Sequence, residues 1–259
     1  MLSQYAEIAL AAADEARDIF VDKLGAAPAL VKGKGDFATE ADLAIEQLLR
    51  ERLGEATGIP VFGEEQGGKL DPEACWVVDP IDGTSNYSSG NPNCAILIAL
   101  IQKGQPVLAV TDIPLLGMRL HTVGDGPVML NGEVLPAIGQ ETAAAAQIGV
   151  GSVGSDDRQR FPAQVRLDLV GALAETELRP RICGSVGVDL AFVALGIYQA
   201  AVSFSPHIWD NAAGVLLGRN AGGVVTDVTG EEWRIGAAGA ISGTPAAHRT
   251  ALSTMLRVQ

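Results

Sequence analysis

Asp79 and Asp82 are the residues of this 259-residue chain whose surroundings most directly imply chemistry. They close Trp76-Val77-Val78-Asp79-Pro80-Ile81-Asp82, an apolar run that reads as a buried strand ending on a carboxylate. Pro80 has no N–H to donate, so it is expected to stop the sheet ladder there. Gly83-Thr84-Ser85 then offers backbone N–H groups at the start of a short helix, a natural seat for an anion. Carboxylates that gather hard cations, next to amides that gather phosphate, point to metal-assisted phosphate chemistry.

Other acids are placed in a similar way. Glu64 and Glu65 end a short strand that begins at Ile59, Asp42 opens a helix after a glycine-rich loop, and Asp210 opens a helix after Trp209. Each has an ordinary explanation when taken alone, because helix starts favour Asp through capping and the helix dipole. If they converged beside apolar segments with few Lys or Arg nearby, they would repel one another. Mg²⁺, which prefers oxygen ligands and keeps waters and phosphate in its shell, would remove that conflict.

The elements that must position these acids can be read from periodicity. Residues 3 to 24 carry Ile8, Ala12, Ala16, Ile19, Phe20 and Leu24 at helical spacing, and a second helix runs through Leu43, Ile45, Leu48, Leu49 and Leu53. Between them lies the glycine-rich hairpin or loop Lys32-Gly33-Lys34-Gly35-Asp36-Phe37. Runs at 93–101, 107–113, 118–122 and 127–130, separated by turn signals, predict an antiparallel meander, and Asn131-Gly132 is a further hairpin signal. The polar, Ala-rich stretch 139–146 is the expected boundary between an N-terminal α+β subdomain (1–139), carrying most of the acids, and a C-terminal α/β subdomain (140–259). In the second part strands near 147–150, 181–183, 199–204 and 224–227 alternate with helices at 160–175, 186–195 and 208–219 and a last helix from Thr244-Pro245. Such alternation predicts stacked layers rather than a bundle or a β-sandwich.

Composition narrows the function. Eighteen basic residues against thirty-one acidic ones give a net charge of −13, which disfavours nucleic acid and anionic membranes as partners. No apolar run approaches a membrane span and the N-terminus lacks signal-peptide character, so a cytoplasmic location is expected. Cys75, Cys94 and Cys183 read as buried thiols rather than a disulfide or zinc site. Lys34 lacks the P-loop spacing, and His121, His207 and His248 fit no zinc motif. No Ser sits in a nucleophile elbow. Gly149-Val150-Gly151-Ser152-Val153-Gly154 matches GxGxxG, but Ser155-Asp156-Asp157-Arg158 puts carboxylates where a pyrophosphate would sit, so a loop is favoured over a dinucleotide site.

The chain resembles the inositol monophosphatase family, within the lithium-sensitive, Mg²⁺-dependent sugar and nucleotide phosphatases, along nearly its whole length. The residues carrying the resemblance are Asp36-Phe37-Ala38-Thr39-Glu40-Ala41-Asp42, Gly63-Glu64-Glu65, Asp79-Pro80-Ile81-Asp82-Gly83-Thr84-Ser85-Asn86, Gly184-Ser185, Trp209-Asp210-Asn211-Ala212-Ala213-Gly214 and Ala221-Gly222-Gly223. The resemblance implies a mixed α and β (α+β) fold, the layered αβαβα sandwich of the inositol monophosphatase and fructose-1,6-bisphosphatase type. It implies two or three Mg²⁺ ions, one held by Glu64, Asp79 and the Ile81 carbonyl and another by Asp79, Asp82 and Asp210. Thr84, paired with Asp42, would help Glu64 prepare the attacking water, and the N–H groups of Gly83 and Thr84 would hold phosphate. Asp82, Gly184, Ser185 and Asp210 would meet the substrate. A homodimer acting on a small-molecule phosphate ester is also implied.

Two departures bear on the substrate. Asn86-Tyr87-Ser88-Ser89-Gly90 replaces the family's usual run after the threonine, and Ser203, seven positions before Asp210, stands where a glutamate recognises inositol. A serine cannot take two strong hydrogen bonds from vicinal hydroxyls as a carboxylate does. The expected substrates are inositol phosphate, histidinol phosphate, a sugar phosphate or bisphosphate, or a 3'-phosphoadenosine-type nucleotide, with Ser203 lowering inositol phosphate in that order. A regulatory or protein-interaction role with little turnover, or a phosphate sensor, stands as the alternative.

Overall fold

The structure, a computed structural model, describes residues 1–33, 36–139, 146–154 and 160–259. In chain order it forms α1 (Leu2–Asp22), β1 (Pro28–Gly33), β2 (Asp36–Thr39), α2 (Glu40–Thr57), β3 (Val61–Gly63), β4 (Ala74–Asp82), α3 (Thr84–Ser89), β5 (Ala95–Gln102), β6 (Gln105–Ile113), β7 (Met118–Val123), β8 (Met129–Leu130) and β9 (Glu133–Val134). It continues with β10 (Ala146–Val150), α4 (Ala163–Ala174), β11 (Leu178–Arg181), α5 (Val186–Ala194), β12 (Ala200–Ser203), α6 (Ile208–Asn220), β13 (Val224–Thr226), β14 (Ala240–Gly243) and α7 (Pro245–Val258).

Three sheets result: the β1–β2 hairpin, a seven-stranded sheet in the order β3 to β9, and a five-stranded sheet ordered β11-β10-β12-β14-β13. α1 and α2 bury Ala9, Ala13, Phe20, Ile45, Leu49 and Leu53 against Trp76, Val78, Ile96 and Ile98 on one face of the large sheet. Each fully buried Leu or Ile there contributes roughly 1.5–3 kcal/mol over an exposed one. The opposite face, with Val77, Leu97 and Ala99, meets Val188, Leu190, Ala212 and Val215 of α5 and α6. Leu169, Leu173, Ala247 and Ala251 of α4 and α7 then cover the far side of the five-stranded sheet. The layers are thus α–β–α–β–α, as the resemblance implied.

Several local expectations are corrected. β4 does not stop at Pro80: pairing with β5 runs through Asp79↔Leu97, breaks, and resumes at Asp82↔Ala95. The missing N–H of Pro80 is absorbed by an irregularity rather than by strand termination. β3 joins β4 in parallel, while β4 to β9 form the antiparallel meander. Asn131 (φ 50°) and Gly132 (φ 89°) make the β8–β9 turn, both left-handed as a primed hairpin turn requires. β11 ends at Arg181 rather than Cys183, and β14 was not foreseen, because its four buried residues Ala-Ile-Ser-Gly lack a distinctive pattern. Lys34-Gly35, residues 140–145 and Ser155-Asp156-Asp157-Arg158 lie outside the described residues.

Candidate active site

Asp79, Asp82 and Asp210 come together where β4 ends and α6 begins. One carboxylate oxygen from each lies within 4.8 Å of the others. The break in the β4 ladder has a direct role here, since Asp79 Oδ1 accepts the Ile81 N–H at 3.1 Å and its carboxylate is fixed within the irregular turn. Asp82 Oδ2 accepts the Ser185 hydroxyl at 2.6 Å and the Gly187 N–H at 2.5 Å. Gly187 makes this approach possible, because a Cβ there would lie 2.5 Å from Leu97 and 2.8 Å from Asp82 Oδ2. Asp210 stands in the first turn of α6, where the N-terminal dipole favours an anion.

The electrostatics record a conflict. Burial, then the charges of Glu64, Asp82 and Asp210, hold the Asp79 carboxyl well above the ordinary range. Burial and the charge of Asp210 push Asp82 to about 7. Burial also carries Asp210 to about 7, against a hydrogen bond from Ser205 that lowers it. Two buried acids and the half-buried Asp210, which resist ionisation together, form an all-oxygen donor set, and the carboxylate chemistry fits a hard divalent cation.

Glu64, expected among the metal ligands, lies outside the cluster of Asp79, Asp82 and Asp210, although its charge helps to raise Asp79. It and Glu65 share Lys32, whose Nζ lies 2.9 Å from Glu64 Oε1 and 2.6 Å from Glu65 Oε1. The scarcity of basic residues expected around the acids is corrected by this lysine, which the β1–β2 hairpin carries in from the glycine-rich stretch. Burial works against the Lys32 ammonium, but its hydrogen bonds and charge contacts with Glu65 and Glu64 raise its pKa above the usual value. Glu65 is pushed up to about 7 by burial in spite of Lys32.

A second support escaped the sequence reading. Glu46 of α2 accepts the Glu65 N–H at 2.6 Å and the Gln66 N–H at 2.9 Å. Arg50, one turn on, grips Glu46 Oε1 at 2.7 Å and the Val61 carbonyl at 2.9 Å. Gly63 is required beside them, since a Cβ would lie 2.4 Å from the Glu46 carboxylate. The pair at i and i+4 looks like ordinary surface pairing in the sequence, and its only signal was the adjacency of Gly63 to two acids.

Asp42 and Thr84 also meet. Asp42 Oδ2 closes a capping box with Thr39 at the start of α2, accepting its N–H at 2.7 Å. The Thr84 hydroxyl lies 3.3 Å from Asp42 Oδ1 and 3.1 Å from the Ile81 carbonyl, and donates its single proton to one of them. Burial is the main reason the Asp42 carboxyl is raised. Gly83, at φ 87°, is confined by the Asn93 carbonyl, Ser185 and Gly184, so α3 starts tight against the second part of the chain. Asn86 reinforces that seam by donating to the carbonyls of Asn93 (2.6 Å) and Cys183 (2.7 Å).

A cavity of about 760 Å³ opens from the acids and is lined by Asp82, Asp210, Gly184 and Ser185, then by Gly151, Ser152, Arg160, Arg166, Phe204, Ser205 and His207. Asn211 shapes its rim by donating to the carbonyls of Ser205 (3.0 Å) and His207 (2.7 Å). His207 stacks on Trp209 with ring centroids 4.5 Å apart, a packing role. The first two GxGxxG glycines are explained by packing, since a Cβ on Gly149 would strike Asp189 and one on Gly151 would press on Phe204, whereas nothing among the described residues crowds Gly154.

The altered stretch after Thr84 faces away from the cavity. Tyr87 is buried against Phe20 and donates to its carbonyl at 2.7 Å, and Ser88 donates to the Ala26 carbonyl at 3.0 Å. Tyr87 thus fastens α3 to α1 and Ser88 fastens it to the segment after α1, and neither is among the residues lining the cavity. Ser203 is buried as well, its hydroxyl accepting the Ser205 N–H at 3.2 Å. Cys75, Cys94 and Cys183 are free thiols, the first two buried and the third half-buried.

The sequence model of the inositol monophosphatase family matches residues 1–258. The chain is 44% identical over 240 residues to the inositol-1-monophosphatase ImpA of Mycolicibacterium smegmatis, covering 92% of this chain and 87% of that one. It is 33% identical over 214 residues to the Nus factor SuhB of Xylella fastidiosa, covering 82% and 76% respectively. Its fold matches that of the Thermotoga maritima IMPase with a TM-score of 0.87 at 22% identity, over 97% of this chain and 96% of that one.

Proposed function

The chain belongs to the inositol monophosphatase family and is a phosphatase, and from that premise we propose that it is a Mg²⁺-dependent phosphomonoesterase of small polar alcohol phosphates. The observation that carries the reading is the convergence of Asp79, Asp82 and Asp210 within 4.8 Å at the wall of a substrate-sized cavity. Two or three Mg²⁺ ions would be held by Glu64, Asp79, Asp82, Asp210 and the Ile81 carbonyl. Bound there, they would neutralise phosphate oxygens and lower the pKa of a water.

The chain's own groups do the rest. Thr84, steered by Asp42 and the Ile81 carbonyl, orients the attacking water together with Glu64. The N–H groups of Gly83 and Thr84 would hold the phosphate, and Gly184 and Ser185, which line the cavity, would border the alcohol. Water attacks phosphorus in line, the ester P–O bond breaks, and the alcohol leaves with a proton, giving inorganic phosphate. Residues 1–139 supply most of the ligands and 140–259 complete the site, in a cytoplasmic homodimer.

Phosphate release from a panel of phosphorylated metabolites, with Mg²⁺ and with EDTA, tests the proposal: turnover must need the metal. The likeness to a relative named as a Nus factor favours a second reading, a protein-interaction role with little turnover. Background turnover across the panel together with a co-purifying protein would support that reading instead.

A further inference from the structure

The cavity beside the acids has a polarity that an uncharged polyol does not explain. Among the described residues, its charged lining consists of Asp82 and Asp210 at the ends of β4 and α6, and Arg160 and Arg166 on the α4 side. The two arginines differ in kind. Arg166 is buried, donates to the Phe161 carbonyl at 3.0 Å and to the Ser152 carbonyl, and lies 4.8 Å from the centroid of the Phe204 ring. It braces the wall. Arg160 is exposed at the rim, with its guanidinium 5.9 Å from the Phe161 ring centroid, and no ion pair joins it to a carboxylate among the described residues.

The side of the cavity away from the acids therefore offers cations and an aromatic surface. Among the described residues no carboxylate lines that side to accept vicinal hydroxyls, because Ser203 is buried and lies outside the lining, which Phe204 occupies instead.

We infer that the alcohol bears a second anionic group, a phosphate or a carboxylate, and that Arg160 is the specificity-determining residue that holds it while the ester phosphate lies at the acids. The inference rests on the phosphatase reading above. A guanidinium pairs with either anion through two parallel hydrogen bonds, and a neutral alcohol gains no such contact.

The test compares glucose 1-phosphate, glucose 1,6-bisphosphate and glucuronic acid 1-phosphate, which differ only in carrying a hydroxyl, a phosphate or a carboxylate at carbon six. Each is assayed with Mg²⁺ on wild type, Arg160→Gln and Arg160→Lys, and binding of glucose 1,6-bisphosphate is followed by calorimetry. We expect kcat/KM for at least one of the doubly anionic esters to exceed that for glucose 1-phosphate by about tenfold or more. Arg160→Gln should reduce this ratio at least about fivefold, mainly through KM, with Arg160→Lys in between and the bisphosphate Kd rising in parallel. The responding arm identifies the anion. Equal kcat/KM for the three esters, or a ratio and Kd untouched by Arg160→Gln, would overturn the inference while leaving the phosphatase reading in place. Arg160-dependent binding without hydrolysis of any ester would instead sink the phosphatase reading and keep the anion subsite. Absence of both turnover and binding would overturn both.

Discussion

The Ser185 hydroxyl donates to Asp82 at 2.6 Å, joining the N-terminus of α5 to the end of β4 across 103 positions of sequence. Ser185 also caps α5 by accepting the Val188 N–H at 3.1 Å. One side chain thus fixes both the helix that lines the cavity and an acid of the proposed metal site.

Ser185→Ala removes a partner that orients a carboxylate of the proposed metal site. Magnesium affinity, read by calorimetry, should weaken roughly 10–100-fold. The lost cap should lower stability by about 1 kcal/mol, and Ser185→Thr should restore most of both effects.

Glu46→Ala leaves the Arg50 guanidinium without its carboxylate and the Glu65 and Gln66 N–H groups without an acceptor. Because Arg50 is partly exposed, the loss is set at the low end for a broken buried pair, about 3 kcal/mol, or a Tm lower by roughly 5–10 °C. The turn carrying Glu64 should loosen with it, so the Mg²⁺ concentration for half-maximal activity should rise.

These supports mark where the sequence stops being legible. Asp79, Asp82, Gly83 and Thr84 could be read because the local order of strand, acid, glycine and helix start is itself the device. Stacked layers followed from the alternation of helices and strands, and their αβαβα order from the resemblance. Lys32 and Arg160 gave no signal, and Glu46 with Arg50 only the indirect one of Gly63 beside two acids, since each acts through a contact made only when distant segments meet. Pro80 misled for a related reason: its missing N–H is a local fact, but whether a strand ends or bulges there depends on what β5 offers next. The Tyr87–Ser89 stretch looked like a substrate feature because it adjoins the motif, whereas the turn of α3 aims it at α1.

Asp189 makes stability depend on pH. It is buried behind the site and accepts the Cys183 thiol at 3.0 Å; burial raises its carboxyl to about 8, with the charge of Asp82 adding to the rise. In the unfolded chain it ionises near pH 4, so folding takes up a proton between about pH 4 and 8. Its favourable contribution is complete below that window and is lost as pH rises through it. Asp189→Asn should therefore lose less stability than wild type between pH 6 and pH 8, by at most about 1.4 kcal/mol per pH unit, as read from denaturant titrations.

Asp79→Asn removes one of the three mutually repelling acids. In EDTA at pH 8 the variant should melt at or above the wild-type temperature, while Mg²⁺ should raise the Tm of wild type more than that of the variant.

The most direct measurement is phosphate release as a function of Mg²⁺ concentration by wild type and Asp79→Asn on the best ester of the panel. The account predicts a saturable Mg²⁺ requirement in wild type and a fall on the order of a thousandfold in the variant, the scale of several kcal/mol of lost charge stabilisation. Turnover by wild type in EDTA, or undiminished Mg²⁺-dependent turnover by Asp79→Asn, would contradict it.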